Sequence, residues 1–243
     1  MASAELEQTL VLIKPDALKN SLTGYVLSLL SEFHTGLRFA AAKIVHVSEM
    51  LAEEHYAEHR GKAFYLPLLE YIMGLSHYPD EPQKRRVIAL VYQGPEAVQK
   101  IRYIAGPTNP LVAREKRPGC IRALGTLVPV KDAAGNVVSE RMDNLIHASA
   151  TVEEAEREIK LWFKPNDMPP AMRPYPVTLS DDVFYFKGGQ VCATYEPGSI
   201  ALLAPGDAAW TSDLDVLKGF RAGLPAGCSL EAVAAKYLIN EER

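Results

Sequence analysis

His147 ends a short apolar run, Leu145-Ile146, and a helix start follows it within a few residues. Thr151 is a good N-cap, and Glu154 three residues on completes a capping box. Val152, Ala155, Ile159, Trp162 and Phe163 then recur at helical spacing, which predicts a buried face. Glu158 lies two turns along this helix, where its carboxylate can fold back toward the imidazole. A histidine at a strand end with a carboxylate to orient it suits a nucleophile or a general base. The carboxylate fixes which ring nitrogen keeps its lone pair. A half-buried histidine satisfied by a helix terminus would show the same spacing. His55 and His59, four residues apart with Glu54 adjacent, have metal-ligand spacing, but no third ligand accompanies them. An exposed helix face explains that pair more simply.

The elements that must carry these residues are legible in order. Thr9 to Ile13 is a continuous apolar run, as in a strand buried on both faces, and Lys14-Pro15-Asp16 ends it. Lys14, left at the strand's carboxyl end, is either a solvated rim charge or a phosphate contact. Leu22, Tyr25, Val26, Leu29, Leu30 and Phe33 mark one amphipathic helix, closed by Thr35-Gly36. A strand over Phe39 to Val47, a helix capped by Ser48 and a helix over Phe64 to Met73 follow. Gly74 to Arg86 is a polar loop. Val87 to Val91 is a third buried strand, and Pro95 opens a helix running to about Ala105. Leu127 to Val138 reads as a hairpin turning at Gly135-Asn136. The fold class this order predicts is α/β (α+β): a ferredoxin-like, split βαβ sandwich, an antiparallel sheet covered by helices packed on one face.

Residues 1–165 therefore form one domain. Residues 166–176 are a proline-rich linker, and 177–243 are a small C-terminal appendage with a β-hairpin, short strands and two helices. Val183 to Phe186, Gln190 to Tyr195 and Ile200 to Leu203 are its strands; about Asp213 to Ala222 and a segment starting at Ser229 are its helices. Its five basic and nine acidic residues have the wrong balance for a nucleic-acid backbone, and the whole chain carries a net charge of -4. The three cysteines, Cys120, Cys192 and Cys228, are far apart and show no zinc spacing, which suits a reducing, cytoplasmic setting. The N-terminus lacks a basic region followed by an apolar one, so no secretory signal is expected. No apolar run approaches the roughly 18 residues of a membrane span, so no membrane partner is expected either.

Six motifs occur together: T-L-V-L-I-K-P-D-A (Thr9 to Ala17), E-H-Y (Glu54 to Tyr56), A-G-P-T-N-P (Ala105 to Pro110), R-P-G-C-I-R (Arg117 to Arg122), N-L-I-H-A-S (Asn144 to Ser149) and E-R-E-I-K-L-W-F (Glu156 to Phe163). In this order they resemble the nucleoside diphosphate kinase family, over about Glu7 to Pro165. The resemblance implies transfer of the γ-phosphate of a nucleoside triphosphate to a nucleoside diphosphate by a ping-pong route through a phosphohistidine at His147. It implies that Lys14 and Tyr56 contact the γ-phosphate region, that Arg102, Thr108 and Arg122 contact the phosphates, and that Asn144 contacts the sugar hydroxyl and phosphate side. Phe64 and Leu68 would sandwich the base, while Ser149 and Glu158 would bond or orient the histidine. Mg²⁺ would arrive held mainly by the nucleotide's phosphates, with no dedicated metal ligands in the chain. The partners implied are nucleoside di- and triphosphates and further copies of the chain, a dimer at least.

The chain departs from the family pattern at four places. After His147 the family has Gly-Ser-Asp, and this chain has Ala148-Ser149-Ala150. After Arg122 the family has a short segment, and this chain has the longer 123–143 insertion. The loop Gly74 to Arg86 is long, and nothing after Val177 belongs to the kinase pattern. These departures leave a second reading open: a nucleotide-binding or phosphohistidine regulatory module with weakened turnover. Transfer to a diphosphate acceptor separates the two.

Overall fold

The computed structural model describes residues 6–131 and 134–239. The five N-terminal residues, the charges of 240–243 and part of the predicted hairpin loop lie outside it. Strand β1 (Glu7–Ile13) leads through Lys14 into α1 (Pro15–Lys19), α2 (Thr23–Leu29) and α3 (Glu32–Thr35). Next come β2 (Arg38–Val45), α4 (Glu49–His55), α5 (Tyr65–Ile72), β3 (Val87–Gly94), α6 (Ala97–Ala105) and α7 (Pro110–Lys116). Strands β4 (Thr126–Lys131) and β5 (Val137–Asp143) pair as the hairpin, and β6 (Ile146–Ala148) runs into α8 (Val152–Trp162). The C-terminal region holds β7 (Val177–Leu179), β8 (Phe184–Lys187), β9 (Gln190–Cys192), β10 (Ile200–Leu203), β11 (Ala208–Trp210), α9 (Thr211–Arg221) and α10 (Leu230–Ala234).

The main sheet has the order β2-β3-β1-β6 with every neighbouring pair antiparallel, the split βαβ arrangement. Both its faces are covered, where the sequence suggested one. Successive residues of β1 point to opposite sides. Leu10 and Leu12 join a core with Leu51, Leu69, Ile159 and Trp162, under α4, α5 and α8. Val11 and Ile13 join a second core with Val26, Ala97, Ile101 and Ala105, under α2 and α6. An uninterrupted apolar strand requires just such two-sided burial.

Three local expectations are corrected. The helix expected over 22–33 is two, because Ser31 accepts the amide of His34 as a new N-cap; Phe33 is left 91% exposed. Pro95 lies in a turn ahead of α6, whose N-cap is Glu96 in a left-handed conformation. In α8, Thr151 caps the amide of Glu154, but Glu154 reaches back to the amide of Ala150 instead of Thr151. Val152 is exposed, so the buried stripe of this helix starts at Ala155.

The C-terminal strands form a three-stranded sheet, β10-β8-β9, and a two-stranded one, β11-β7; three residues each made the latter two invisible to periodicity. Helices α9 and α10 pack on a core of Phe184, Leu203, Leu217, Leu230 and Val233. Trp210, fully buried, belongs to the same cluster as Leu10, Leu51 and Trp162, and its indole donates to the Phe163 carbonyl at 2.8 Å. Between them, two single 3-10 turns, Pro165–Asp167 and Pro170–Met172, carry the chain across, and Gln8 donates to the Met172 carbonyl at 2.8 Å. Trp210→Ala should therefore destabilise the whole chain by about 3–5 kcal/mol, read as one lowered cooperative transition in denaturant unfolding.

Candidate active site

The register of β6 against β1 places His147 opposite Leu12, one residue short of the strand's carboxyl end. Its Nε2 lies 2.8 and 2.9 Å from the two carboxylate oxygens of Glu158, which α8 brings back over β6. Ser149 donates to the same carboxylate at 2.6 Å and is itself fixed against β1, where it accepts the Leu10 amide at 3.2 Å. A carboxylate accepts from Nε2–H, so Nδ1 keeps its lone pair. Burial, reinforced by Lys14 and Arg122, pushes the His147 imidazole down to about 3. It is neutral at physiological pH and available as a nucleophile. Burial also raises the Glu158 carboxyl, against the pull of His55 and Ser149.

Behind the imidazole, His55 stands edge-on with its ring centroid 4.6 Å away, and its Nδ1 accepts from the Trp162 indole at 3.3 Å. Burial, with His147 close by, holds it well below the usual range, so it is a dry, neutral wall. His59 is not its partner, because α4 ends at His55 and His59 sits on the 3-10 turn that follows, 3.0 Å from Lys62. The three groups that do converge are His55, His147 and Glu158, contributed by α4, β6 and α8.

A ring of cations surrounds the histidine. Lys14 at the end of β1 is buried, donates to the Asn144 side chain at 2.8 Å and lies over the Tyr71 ring. Burial pushes its ammonium down to about 7; Asp16 opposes that shift and Arg122 adds to it. Arg122 donates to the Gly106 and Ile146 carbonyls at 2.9 and 3.2 Å, and its Nε has no partner among the described residues. Burial lowers it to about 10, which leaves it charged. Gly106 must be glycine here, because its φ is +83° and a Cβ would strike Cys120. Arg102, exposed, reaches the Ala148 carbonyl at 3.4 Å. Asn144 also donates to the Thr108 carbonyl at 3.0 Å, which ties α6–α7 to β6. Tyr56 is buried with its hydroxyl unpartnered among the described residues, and burial pushes its phenol up, so it stays a neutral donor. Lys14, Arg102, Arg122, Asn144, His147, Ser149 and Glu158 thus lie in one network. Phe64 and Leu68 are not in it: Phe64 is 52% exposed beside the His59 ring, and Leu68 packs half-buried against the core.

Two supports carried little sequence signal. Leu145 has φ +71°, a costly conformation for a branched side chain. Asp16 accepts its amide at 2.8 Å and the Lys14 amide donates to its carbonyl at 2.9 Å, so α1 and β1 hold the strained turn that aims His147. Tyr71 accepts the Asn144 amide at 3.3 Å from α5. The proline after Lys14 marked a strand end and left the role of Asp16 hidden.

The family model for nucleoside diphosphate kinase matches residues 7–168. The chain belongs to the nucleoside diphosphate kinase family. It is 36% identical over 168 residues to the nucleoside diphosphate kinase of Thermococcus kodakarensis, covering 69% of this chain and 83% of that one. It is 36% identical over 163 residues to that of Thermus thermophilus, covering 67% and 99%. Among solved structures, the Aquifex aeolicus nucleoside diphosphate kinase superposes with a TM-score of 0.55 at 28% identity, over 68% of this chain and all of that one. A Borrelia burgdorferi nucleoside-diphosphate kinase with bound vanadate and ADP, a transition-state mimic, superposes at 0.52 and 30% identity, over 68% and 90%. Nucleoside diphosphate kinases are phosphotransferases, and the ferredoxin-like sheet with its helices is their fold. Against the family pattern, the Ala150 turn keeps a carboxylate anchor, since Glu154 holds the Ala150 amide at 2.8 Å. The inserted β4–β5 hairpin is closed at its base by a buried cluster, in which His77 lies 2.9 Å and Arg141 2.7 Å from Asp143. Asp143 directly precedes Asn144, so the insertion is locked beside the site.

Proposed function

We propose that the chain transfers the γ-phosphate of a nucleoside triphosphate to a nucleoside diphosphate through a phosphohistidine at Nδ1 of His147. The observation that carries this reading is the Nε2–Glu158 contact, which leaves Nδ1 with its lone pair on a ring that feels the charges of Lys14 and Arg122. Nδ1 attacks the γ-phosphorus, the P–N bond forms, and the bond to the β–γ bridging oxygen breaks as the diphosphate leaves. The Nε2 proton stays in place, and Glu158 accepts the hydrogen bond as the ring becomes cationic. In the second half, a terminal oxygen of the acceptor diphosphate attacks phosphorus and the P–N bond breaks, which restores neutral His147. Lys14, Arg102 and Arg122 offset the charge of the equatorial oxygens, the main requirement of phosphoryl transfer. Tyr56 and Asn144 donate to phosphate and sugar, and Phe64 with Leu68 holds the base.

The donor set fits a metal delivered with its substrate: the site offers mainly cations and amides, Glu158 is engaged by His147, and Asp16 accepts the Leu145 amide on one oxygen while the other is buried without a partner among the described residues. Mg²⁺, when bound through the phosphates, neutralises part of their charge. Tyr25, Leu27, Phe33 and Phe39, on α2, α3 and the outer strand β2, expose apolar surface that supports self-association, at least as a dimer. No helix among the described residues is long and apolar enough to cross a membrane. The free thiols of Cys120, Cys192 and Cys228 suit the cytoplasm.

Initial rates with varied ATP and GDP test the route. A covalent intermediate gives parallel double-reciprocal lines; lines that intersect would mean direct transfer in a ternary complex.

A further inference from the structure

The C-terminal region touches the kinase fold at the end of α4, where the site's rim begins. Ser229, the N-cap of α10, accepts the Ala232 amide at 3.0 Å and donates to one oxygen of Glu54 at 2.7 Å. The other Glu54 oxygen accepts from Arg60 at 2.7 Å. Glu54 is buried, and Arg60 also bonds Tyr65, the first residue of α5. Arg60 to Phe64 are exposed; short turn bonds such as Lys62 N to the His59 carbonyl organise their backbone until the Phe64 carbonyl accepts the Leu68 amide at the start of α5. This segment ends in Phe64. From the other side, Arg157 of α8 donates to the Glu54 and His55 carbonyls, so the last turn of α4 is held by the residue next to Glu158.

We propose that the C-terminal region is a positioning element for the nucleotide-base clamp, acting through the relay Ser229–Glu54–Arg60. It rests on the reading that Phe64 meets the base. Ser229 presents a hydroxyl proton to one carboxylate oxygen, which orients the other toward Arg60. That ion pair fixes the otherwise exposed segment at the spacing a base requires. Ser229, Glu54 and Arg60 do not touch the reacting atoms and act only through the segment.

The test separates the relay from helix capping. Ser229→Ala loses both, Ser229→Thr keeps both, and Ser229→Asp keeps the cap but places a second carboxylate against Glu54. On the full chain without nucleotide, amide exchange over residues 57–65 should quicken about tenfold in the Ala and Asp variants and stay unchanged in the Thr variant. Calorimetric ADP affinity should weaken in the same two variants by about the same factor. Unaltered exchange and affinity in Ser229→Asp would overturn the proposal, leaving Ser229 a cap alone. Faster exchange with unaltered ADP affinity would overturn it too, because the segment would then not serve the base. If the unmutated chain fails to bind ADP, the nucleotide reading falls, while the exchange data still decide the relay.

Discussion

His147→Ala should reduce phosphoryl transfer by a factor on the order of 10⁴ or more while leaving nucleotide binding and fold in place. Removing the imidazole removes the group proposed to carry the phosphate. Its environment is independent of it: Lys14 is held by Asn144, Arg122 by two backbone carbonyls, and Glu158 by Ser149. The side chain is 15% exposed, so truncation opens a space that solvent can reach. Coupled-assay rates measure the loss, and ADP affinity by calorimetry checks that the pocket survives. A variant keeping more than a hundredth of the activity would mean that another group carries the phosphate.

Lys14→Met should lower kcat/KM by about 10²–10³ and abolish a pH dependence that the unmutated chain shows. Burial and Arg122 hold the free ammonium at about 7, with Asp16 and Asp143 opposing. A nearby triphosphate favours the charged form and raises that value. The sign follows from the proton count. Below pH 7 Lys14 is already protonated and affinity gains nothing from further acid; above it, binding must take up a proton. The dissociation constant for a nonhydrolysable triphosphate should therefore rise about tenfold per pH unit above 7, until the bound-state value is reached. In Lys14→Met that slope should vanish. His147 adds no slope in this range, because burial keeps it neutral down to about pH 3. An unmutated affinity flat from pH 6 to 9 would show that Lys14 is not at the phosphates.

Much of this was legible because local chemistry and tertiary structure agree. The apolar β1, the Thr151 cap and the return of Glu158 to His147, eleven residues away, are each dictated by local spacing, and the structure keeps them. What stayed hidden depends on contacts far apart in sequence. Asp16 bonds Leu145 across the sheet, and Tyr71 reaches Asn144 from α5; neither leaves a periodic trace. His55 resembled half of a metal pair, because four-residue spacing presumes a helix that in fact ends at His55. The single helix expected over 22–33 failed because the Ser31 hydroxyl offers the backbone a local alternative. Trp210 ends a strand too short to show a period, and it fills the same core as Trp162.

The central claim is that His147 itself becomes phosphorylated. Intact mass of the purified chain after incubation with Mg²⁺ and ATP, beside His147→Ala, measures this directly. One added phosphate, acid-labile, absent from the variant and discharged as GTP when GDP is supplied, is the result this account requires. An unmodified mass in a chain that nonetheless makes GTP, or a phosphate retained in the variant, would contradict it.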